Sequence, residues 1–318
     1  MIEFAAPGKA VIWGEYAVLA GAPALVMAVD RYARAGVSIE GGDWRIRSIG
    51  FTSDVTLDAD ALRALNPATA GGAAAVVRSA LSALGDPPLP RGGLITTDTT
   101  AFYDGHRKLG IGSSAAICTA ACAALAEALS RPFDSSIPRT AHQLLQGKAG
   151  SGLDVAAACE GGLIRFQSGA ASPAGWPDGL HYRFFWVGHS AKTTDHLARF
   201  TAWRAAADNR TLNELCAASE ALFARPDLPT LAEYVRRLKA LDAEATLGIY
   251  DAAHARLDEL ASRVQVVYKP CGAGGGDIGI AVSDDASSLD SLLTLAAPDS
   301  FLPLNLEIAP HGVHRISS

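Results

Sequence analysis

No stretch of this chain reaches the roughly 20 consecutive apolar residues that a membrane-spanning helix requires, although 49% of its 318 residues are hydrophobic. The apolar run from Ala17 to Val29 is broken by Gly21 and Pro23. It is preceded by Glu3 and Glu15 rather than by a cationic cluster, so it is expected to belong to the fold and not to a secretory signal. A basic tail is also missing. The 27 Lys+Arg face 33 Asp+Glu for a net charge of −6, which argues against attraction to a phosphate backbone and excludes nucleic acid as the expected partner. Disulfide architecture is absent too. Cys118, Cys122, Cys159, Cys216 and Cys271 are odd in number and contain no C-x-x-C pair, so reduced thiols and no zinc site are expected. Cys118 and Cys122, one helical turn apart, read as two small buried hydrophobes. These absences lead us to expect a soluble, cytoplasmic protein without a membrane partner.

Lysine is scarce as well. Only six of the 27 basic residues are lysines, and arginine is the generic surface cation. Yet Lys9, Lys108, Lys148 and Lys269 sit in or beside glycine-rich segments, and Lys192 lies in a short polar stretch after an expected strand. A compact ammonium serves crowded phosphates in a way that a planar guanidinium fork does not. The biased placement therefore points to phosphate chemistry.

What is present reads as strands followed by helices. Strands are expected at Ile2 to Ala6, Ala10 to Trp13, Ala24 to Val29 and Ala33 to Glu40. A helix is expected from Ala73 to Leu84 and a strand from Leu94 to Thr99. An alanine-rich helix then covers Ser113 to Leu129, and a shorter one Thr140 to Gln146. The Gly, Ser and Pro-rich passage from Gln167 to Gly179 marks the expected boundary, giving domains of 1–170 and 171–318. In the second half, strands are expected at Tyr182 to Val187, Val264 to Tyr268 and Ile278 to Val282 among several helices. Strands mixed with helices in both halves indicate two α+β domains rather than one alternating parallel sheet.

Three segments combine glycine with anion-binding groups: Pro7-Gly8-Lys9 with Gly14-Glu15-Tyr16, Lys108 to Ala116, and Lys269 to Asp277. Glycine admits close backbone approach, and free N–H groups at a helix start favour negative charge. Gly110-Ile111-Gly112-Ser113-Ser114-Ala115 fits the loose dinucleotide fingerprint, but neither its preceding strand nor the downstream acidic residue is in place. No G-x-x-x-x-G-K-[ST] occurs, so a P-loop is rejected too. Asp154 stands in the first turn of an otherwise apolar helix. There it reads either as a helix-dipole carboxylate or as one that positions or deprotonates an acceptor near Lys9.

Taken in order, these three segments resemble the motifs of the GHMP small-molecule kinases. Pro7 to Leu25 is similar to motif one, Leu109 to Ala116 to the phosphate-binding motif two, and Gly272 to Gly279 to motif three. Within that family, Gln146 to Ala158 and Lys269 to Asp277 are most similar to the phosphomevalonate kinases. The resemblance implies an α+β, two-domain GHMP kinase fold, with an N-terminal domain like the second domain of ribosomal protein S5 and a ferredoxin-like C-terminal domain. It implies ATP and Mg²⁺ as cofactors and transfer of the γ-phosphoryl group to phosphomevalonate, an anionic small molecule, by a monomer or homodimer.

The roles it implies are specific. Lys9 and Asp154 resemble the catalytic pair, while Lys108, Gly110, Gly112, Ser113, Ser114 and Ala115 would hold the ATP phosphates, with the Ser114 hydroxyl on Mg²⁺. Glu15, Tyr16, Lys148, Ser151, Lys192, Gly272, Ala273, Gly274 and Gly275 would form the acceptor side. The alternatives are a kinase of the same family acting on mevalonate, homoserine or a sugar, and a ligand-binding regulator built on a kinase fold. A decarboxylase of diphosphorylated mevalonate is disfavoured because its serine-rich catalytic segment is not seen.

Overall fold

The computed structural model describes residues 1–50, 54–147, 150–190, 193–206 and 208–316. Strands β1 (Ile2–Trp13) and β2 (Ala24–Glu40) pair antiparallel along almost their whole length. The breaks expected near Pro7 and before Ala33 are not chain breaks. Each strand runs on, and the register instead shifts between Pro7 and Gly8, leaving Asp30 and Arg31 without a partner on β1. Bulges of this kind bend a strand and re-aim its side chains.

The first half continues through β3 (Trp44–Ile49), β4 (Val55–Leu57), α1 (Ala59–Ala64), α2 (Gly72–Ala83) and β5 (Gly92–Asp98). A small hairpin of β6 (Tyr103–Asp104) and β7 (Arg107–Lys108) precedes three helices: α3 (Ser113–Ala128), α4 (Ser136–Gln146) and α5 (Leu153–Glu160). Strands β8 (Leu163–Gln167) and β9 (Ala170–Ala174) follow. On one side β2 pairs with β1. On the other it carries β5 along Arg34–Glu40 and β8 along Ala24–Met27. Helix α3 lies against β1 and β2 and is flanked by α2, α4 and α5. Its alanines and cysteines are buried on every face. Small side chains all round suit a helix enclosed by other elements rather than one floating on a surface.

The second half contains β10 (His181–Trp186), α6 (Thr193–Ala206), α7 (Arg210–Ala224), α8 (Leu228–Ala245), α9 (Ala252–Ser262) and β11 (Val267–Pro270). After these come β12 (Ile278–Ser283), α10 (Ala286–Ala296), β13 (Leu302–Leu304) and β14 (His314–Arg315). Strands β11-β12-β10-β13, in that order, form an antiparallel sheet. Side chains alternate across a strand, and β10 uses both faces. Phe184 and Trp186 join the main core, which also holds Ile12, Leu25 and Ala120 of the first half. Phe185 and Val187 join Leu257, Leu260 and Leu292 under α9 and α10. The two halves therefore share one continuous apolar interior.

The first sheet reaches beyond the expected division at residue 170. Strand β9 pairs with β8, and β14 returns from the chain's far end to pair with β1, so the sheet has eight strands among the described residues. The returning segment docks where β2 bulges: the Asp30 amide donates to the Glu307 carbonyl at 3.0 Å, and Arg31 donates to the Asn305 carbonyl at 2.8 Å. No helix among the described residues is long and apolar enough to cross a membrane.

Tight backbone crossings limit what the return can accommodate. A Cβ on Gly312 would lie 1.9 Å from the Cys159 carbonyl oxygen, whereas one on Gly41 would meet nothing within 4 Å. Gly312→Ala is therefore expected to destabilise the protein by about 1–3 kcal/mol, and Gly41→Ala to stay within about 0.5 kcal/mol of wild type. Urea unfolding of both variants checks this, and equal midpoints would contradict it.

Candidate active site

The site begins with the approach of β1 to the loop before α3. A Cβ on Gly8 would lie 2.6 Å from the Ile111 carbonyl oxygen, and that same oxygen accepts a 2.8 Å hydrogen bond from the Lys9 amide. Lys9 is thereby fixed beside Gly112, which at φ +83° caps α3 in the left-handed region that glycine adopts without strain. A Cβ on Gly112 would come within 3.1 Å of Lys9 Cγ, and one on Gly272 within 3.7 Å of Lys9 Nζ. The lysine side chain thus runs from the second glycine segment toward the third.

Helix α3 presents the unpaired N–H groups of its first turn and the positive end of its dipole beside Lys9, an arrangement suited to phosphate oxygens. Ser113 and Ala115 are buried and Ser114 is half-buried there. The Ser114 hydroxyl lies 3.1 Å from His142 Nε2. Gly110, at φ +73°, could carry no Cβ without overlapping the Asp277 side chain. The second and third glycine segments therefore touch.

Beneath them lies a buried ion pair. Glu15 Oε1 is 2.5 Å from Lys269 Nζ, with both side chains almost fully enclosed. Glu15 Oε2 accepts from the Tyr234 hydroxyl at 2.8 Å, and that hydroxyl accepts from the Gly14 amide at 2.8 Å. The Gly272 amide donates to Glu15 Oε1 at 3.4 Å, and Lys269 also donates to the Val11 carbonyl at 3.3 Å. Burial and the neighbouring Glu15 charge push the Tyr234 phenol well above its ordinary pKa, which keeps it a neutral donor. Next along the chain, Tyr16 donates its hydroxyl to the Ala273 carbonyl at 2.6 Å and packs its ring at a tilt against Phe200. Burial raises its pKa too.

The third segment is held from behind. His254 Nε2 faces the Gly276 carbonyl at 3.0 Å, and Nδ1 faces the Tyr268 hydroxyl at 2.7 Å. A carbonyl only accepts, so Nε2 carries the proton and Nδ1 accepts from the tyrosine. Burial pushes the His254 pKa down to about 4.

These elements border an open cavity lined by Lys9, Glu15, Tyr16, Gly110, Ser151, Asp154, Gly272 and Ala273. Asp154 is the second residue of α5, after Gly152 at φ +83°. Its Oδ1 accepts from the Val155 amide at 3.0 Å. Lys9 and Asp154 face one cavity, and among the described residues neither forms an ion pair.

Several expected positions differ. Glu15 borders the cavity, but both of its carboxylate oxygens are engaged by protein donors. Gly274 and Gly275 turn away: a Cβ on either would run into Ile249 or His196, and neither lines the cavity. Lys108 is exposed on the β6–β7 hairpin and does not line the cavity. It is the Lys108 carbonyl that is held, by Trp186 Nε1 at 3.1 Å and the Ser190 hydroxyl at 3.2 Å. Lys148 and Lys192 lie outside the described residues. Sequence reasoning missed Lys269 as the partner of Glu15. It also missed the cavity face of α4, where Arg139, His142, Gln143 and Gln146 follow helical spacing.

Lowering pH should weaken this scaffold. His254 titrates near its ordinary 6.5 when unfolded and near about 4 when folded, so between those values the unfolded chain binds the extra proton. Its contribution is intact above pH 6.5 and is lost as pH falls toward 4, by on the order of 3 kcal/mol. Urea unfolding at pH 7.5 and pH 4.5 should show a larger loss in wild type than in His254→Gln, and equal losses would contradict this assignment.

Comparison with known proteins follows the same three segments. The family description "GHMP kinases N terminal domain" matches residues 76–162. The chain is 31% identical over 339 aligned residues to a phosphomevalonate kinase of Streptomyces sp. (strain CL190), covering 90% of each chain. Among solved structures, a Lin0012 protein from Listeria innocua aligns at TM-score 0.84 and 18% identity, covering 100% of this chain and 99% of that one. A phosphomevalonate kinase of Streptococcus pneumoniae, in complex with phosphomevalonate and AMPPNP, aligns at TM-score 0.77 and 22% identity over 97% of this chain and 100% of that one.

Proposed function

The chain belongs to the GHMP kinase family of phosphotransferases, and from that premise we infer that it moves the γ-phosphoryl group of ATP onto phosphomevalonate. Its two sheets have the two-domain α+β architecture of that family. The observation that carries the reading is the single cavity faced by Lys9 and Asp154 beside the N-terminus of α3. The choice of acceptor is supported by the Streptomyces relative, a phosphomevalonate kinase by name.

Phosphoryl transfer asks the protein mainly to position its reactants and neutralise their charge. The start of α3, from Gly112 to Ala115, receives nucleotide phosphates through backbone N–H groups, and the missing side chains of Gly110 and Gly112 let Asp277 and Lys9 pack against that loop. Lys9 adds a fixed positive charge where donor and acceptor phosphates meet. Mg²⁺, when bound, neutralises phosphate charge. Among the described residues no group of three or more His, Cys, Asp or Glu could hold a metal ion. Asp154, which lines the cavity, and the Ser114 hydroxyl, half-buried at the start of α3 beside His142, are the protein oxygens that would hold Mg²⁺. Tyr16, anchored to Ala273, closes the acceptor side.

The acceptor sets what Asp154 must do. A phosphomonoester, with a second pKa of about 6, is already mostly dianionic at neutral pH, so removing a proton is not the difficult step. Asp154 then serves to orient the acceptor and the metal. Asp154→Asn is expected to slow phosphomevalonate turnover by less than about tenfold, well short of the 10²-fold or more that follows loss of a needed base. Lys9→Met should cost about 10²-fold or more. ADP release in the presence of ATP, Mg²⁺ and either phosphomevalonate or mevalonate tests the reading. Turnover is expected with the former, and preferential turnover of mevalonate would overturn it.

A further inference from the structure

We propose that Arg139 binds the carboxylate of the acceptor and sets specificity for it. The proposal rests on the functional reading above. Helix α4 turns one face to the cavity, with Arg139, His142, Gln143 and Gln146 at positions i, i+3, i+4 and i+7, while Ala141 is buried on the other side. Every polar residue of this face can donate a hydrogen bond, and none is acidic.

Two glycines hold the guanidinium. A Cβ on Gly152 would lie 3.3 Å from Arg139 Nε, and one on Gly169 would lie 3.0 Å from Nη1. Arg139 therefore rests on backbone at the very residue that caps α5, two positions before Asp154. Its charge is unspent: among the described residues no carboxylate lies within 4.0 Å of it. By contrast Arg31, Arg78, Arg237 and Arg256 are all ion-paired. Lys9 and Arg139 are the Lys and Arg side chains lining the cavity among the described residues, and they occupy different rims. Lys9 lies against Gly112 and Gly272, and Arg139 against Gly152 and Gly169.

Phosphomevalonate is anionic at both ends. Its phosphate must reach the donor phosphates near Lys9 and the start of α3, so its carboxylate requires a separate counter-charge. A planar guanidinium meets a carboxylate through two parallel N–H···O bonds, and a compact ammonium does not. This division of labour assigns the reacting end to Lys9 and the passive end to Arg139.

The test compares wild type, Arg139→Gln and Arg139→Lys in steady-state turnover. The acceptors are phosphomevalonate and the analogue in which a primary amide replaces its carboxylate. For Arg139→Gln, KM for phosphomevalonate should rise about tenfold or more, with kcat within about threefold, KM for ATP unchanged and the thermal midpoint unchanged; Arg139→Lys should recover part of the loss. The amide should cost wild type a similar factor and cost Arg139→Gln almost nothing further, because the same contact is already gone. An unchanged KM in Arg139→Gln, a loss confined to kcat, or additive penalties for variant and amide would each overturn the assignment while leaving the kinase reading intact. A wild-type enzyme that leaves phosphomevalonate unphosphorylated would overturn that reading and this inference with it.

Discussion

The ion pair between Glu15 and Lys269 is the constraint on which the rest of the site depends. It joins residues 254 positions apart in the chain, one following β1 and the other on β11, and it is almost wholly buried. Two charges withdrawn from water are expensive unless their remaining hydrogen-bonding capacity is met. Here it is met: Tyr234 and the Gly272 amide serve the carboxylate, and the Val11 carbonyl serves the ammonium. Such a pair adds little to net stability compared with apolar packing of similar volume. Its worth lies in register, since any slip of one sheet against the other strands a buried charge. The first and third glycine segments are thereby held at fixed separation, and the Lys9 side chain of the first runs past Gly112 toward Gly272 of the third.

Glycine completes what the ion pair begins. Gly8 lets β1 approach the Ile111 carbonyl, Gly110 makes room for Asp277, and Gly112 leaves space for the Lys9 side chain. Each is a place where a methyl group would push two glycine segments apart. His254, oriented by the Tyr268 hydroxyl, holds the Gly276 carbonyl from behind, so the third segment is braced on both sides. Proximity of this kind, built into the free protein, removes part of the ordering that phosphoryl transfer otherwise demands.

The sequence displayed more of the fold than of the site's wiring. The mixed α+β class, the alanine-rich α3 and its glycine start were legible because they follow from periodicity and local backbone preference. Errors arose where tertiary context relaxed a local rule. Pro7-Gly8 reads as a strand break, yet a bulge lets β1 continue. The helix expected from Thr140 begins four residues earlier, at Ser136, with Pro138 in its first turn, where proline loses no helical hydrogen bond. That shift hid Arg139. The strand expected from Val264 starts at Val267, because the preceding residues finish the turn after α9. It also runs to Pro270, which an edge strand tolerates. The lysine bias pointed to the right chemistry but mixed three fates: Lys9 faces the cavity, Lys269 is a buried partner and Lys108 is exposed. Local sequence carries no record of which distant carboxylate a lysine will meet.

A double-mutant cycle on Glu15 and Lys269 tests the central claim most directly, with Glu15→Gln, Lys269→Met and their combination followed by urea unfolding at neutral pH. Each single substitution leaves a buried group without its partner and should cost about 3–5 kcal/mol. The combined variant should cost less than the sum by at least about 2 kcal/mol and retain measurable ATP-dependent turnover. Additive losses, or single variants as stable as wild type, would show that this pair does not hold the first and third glycine segments together.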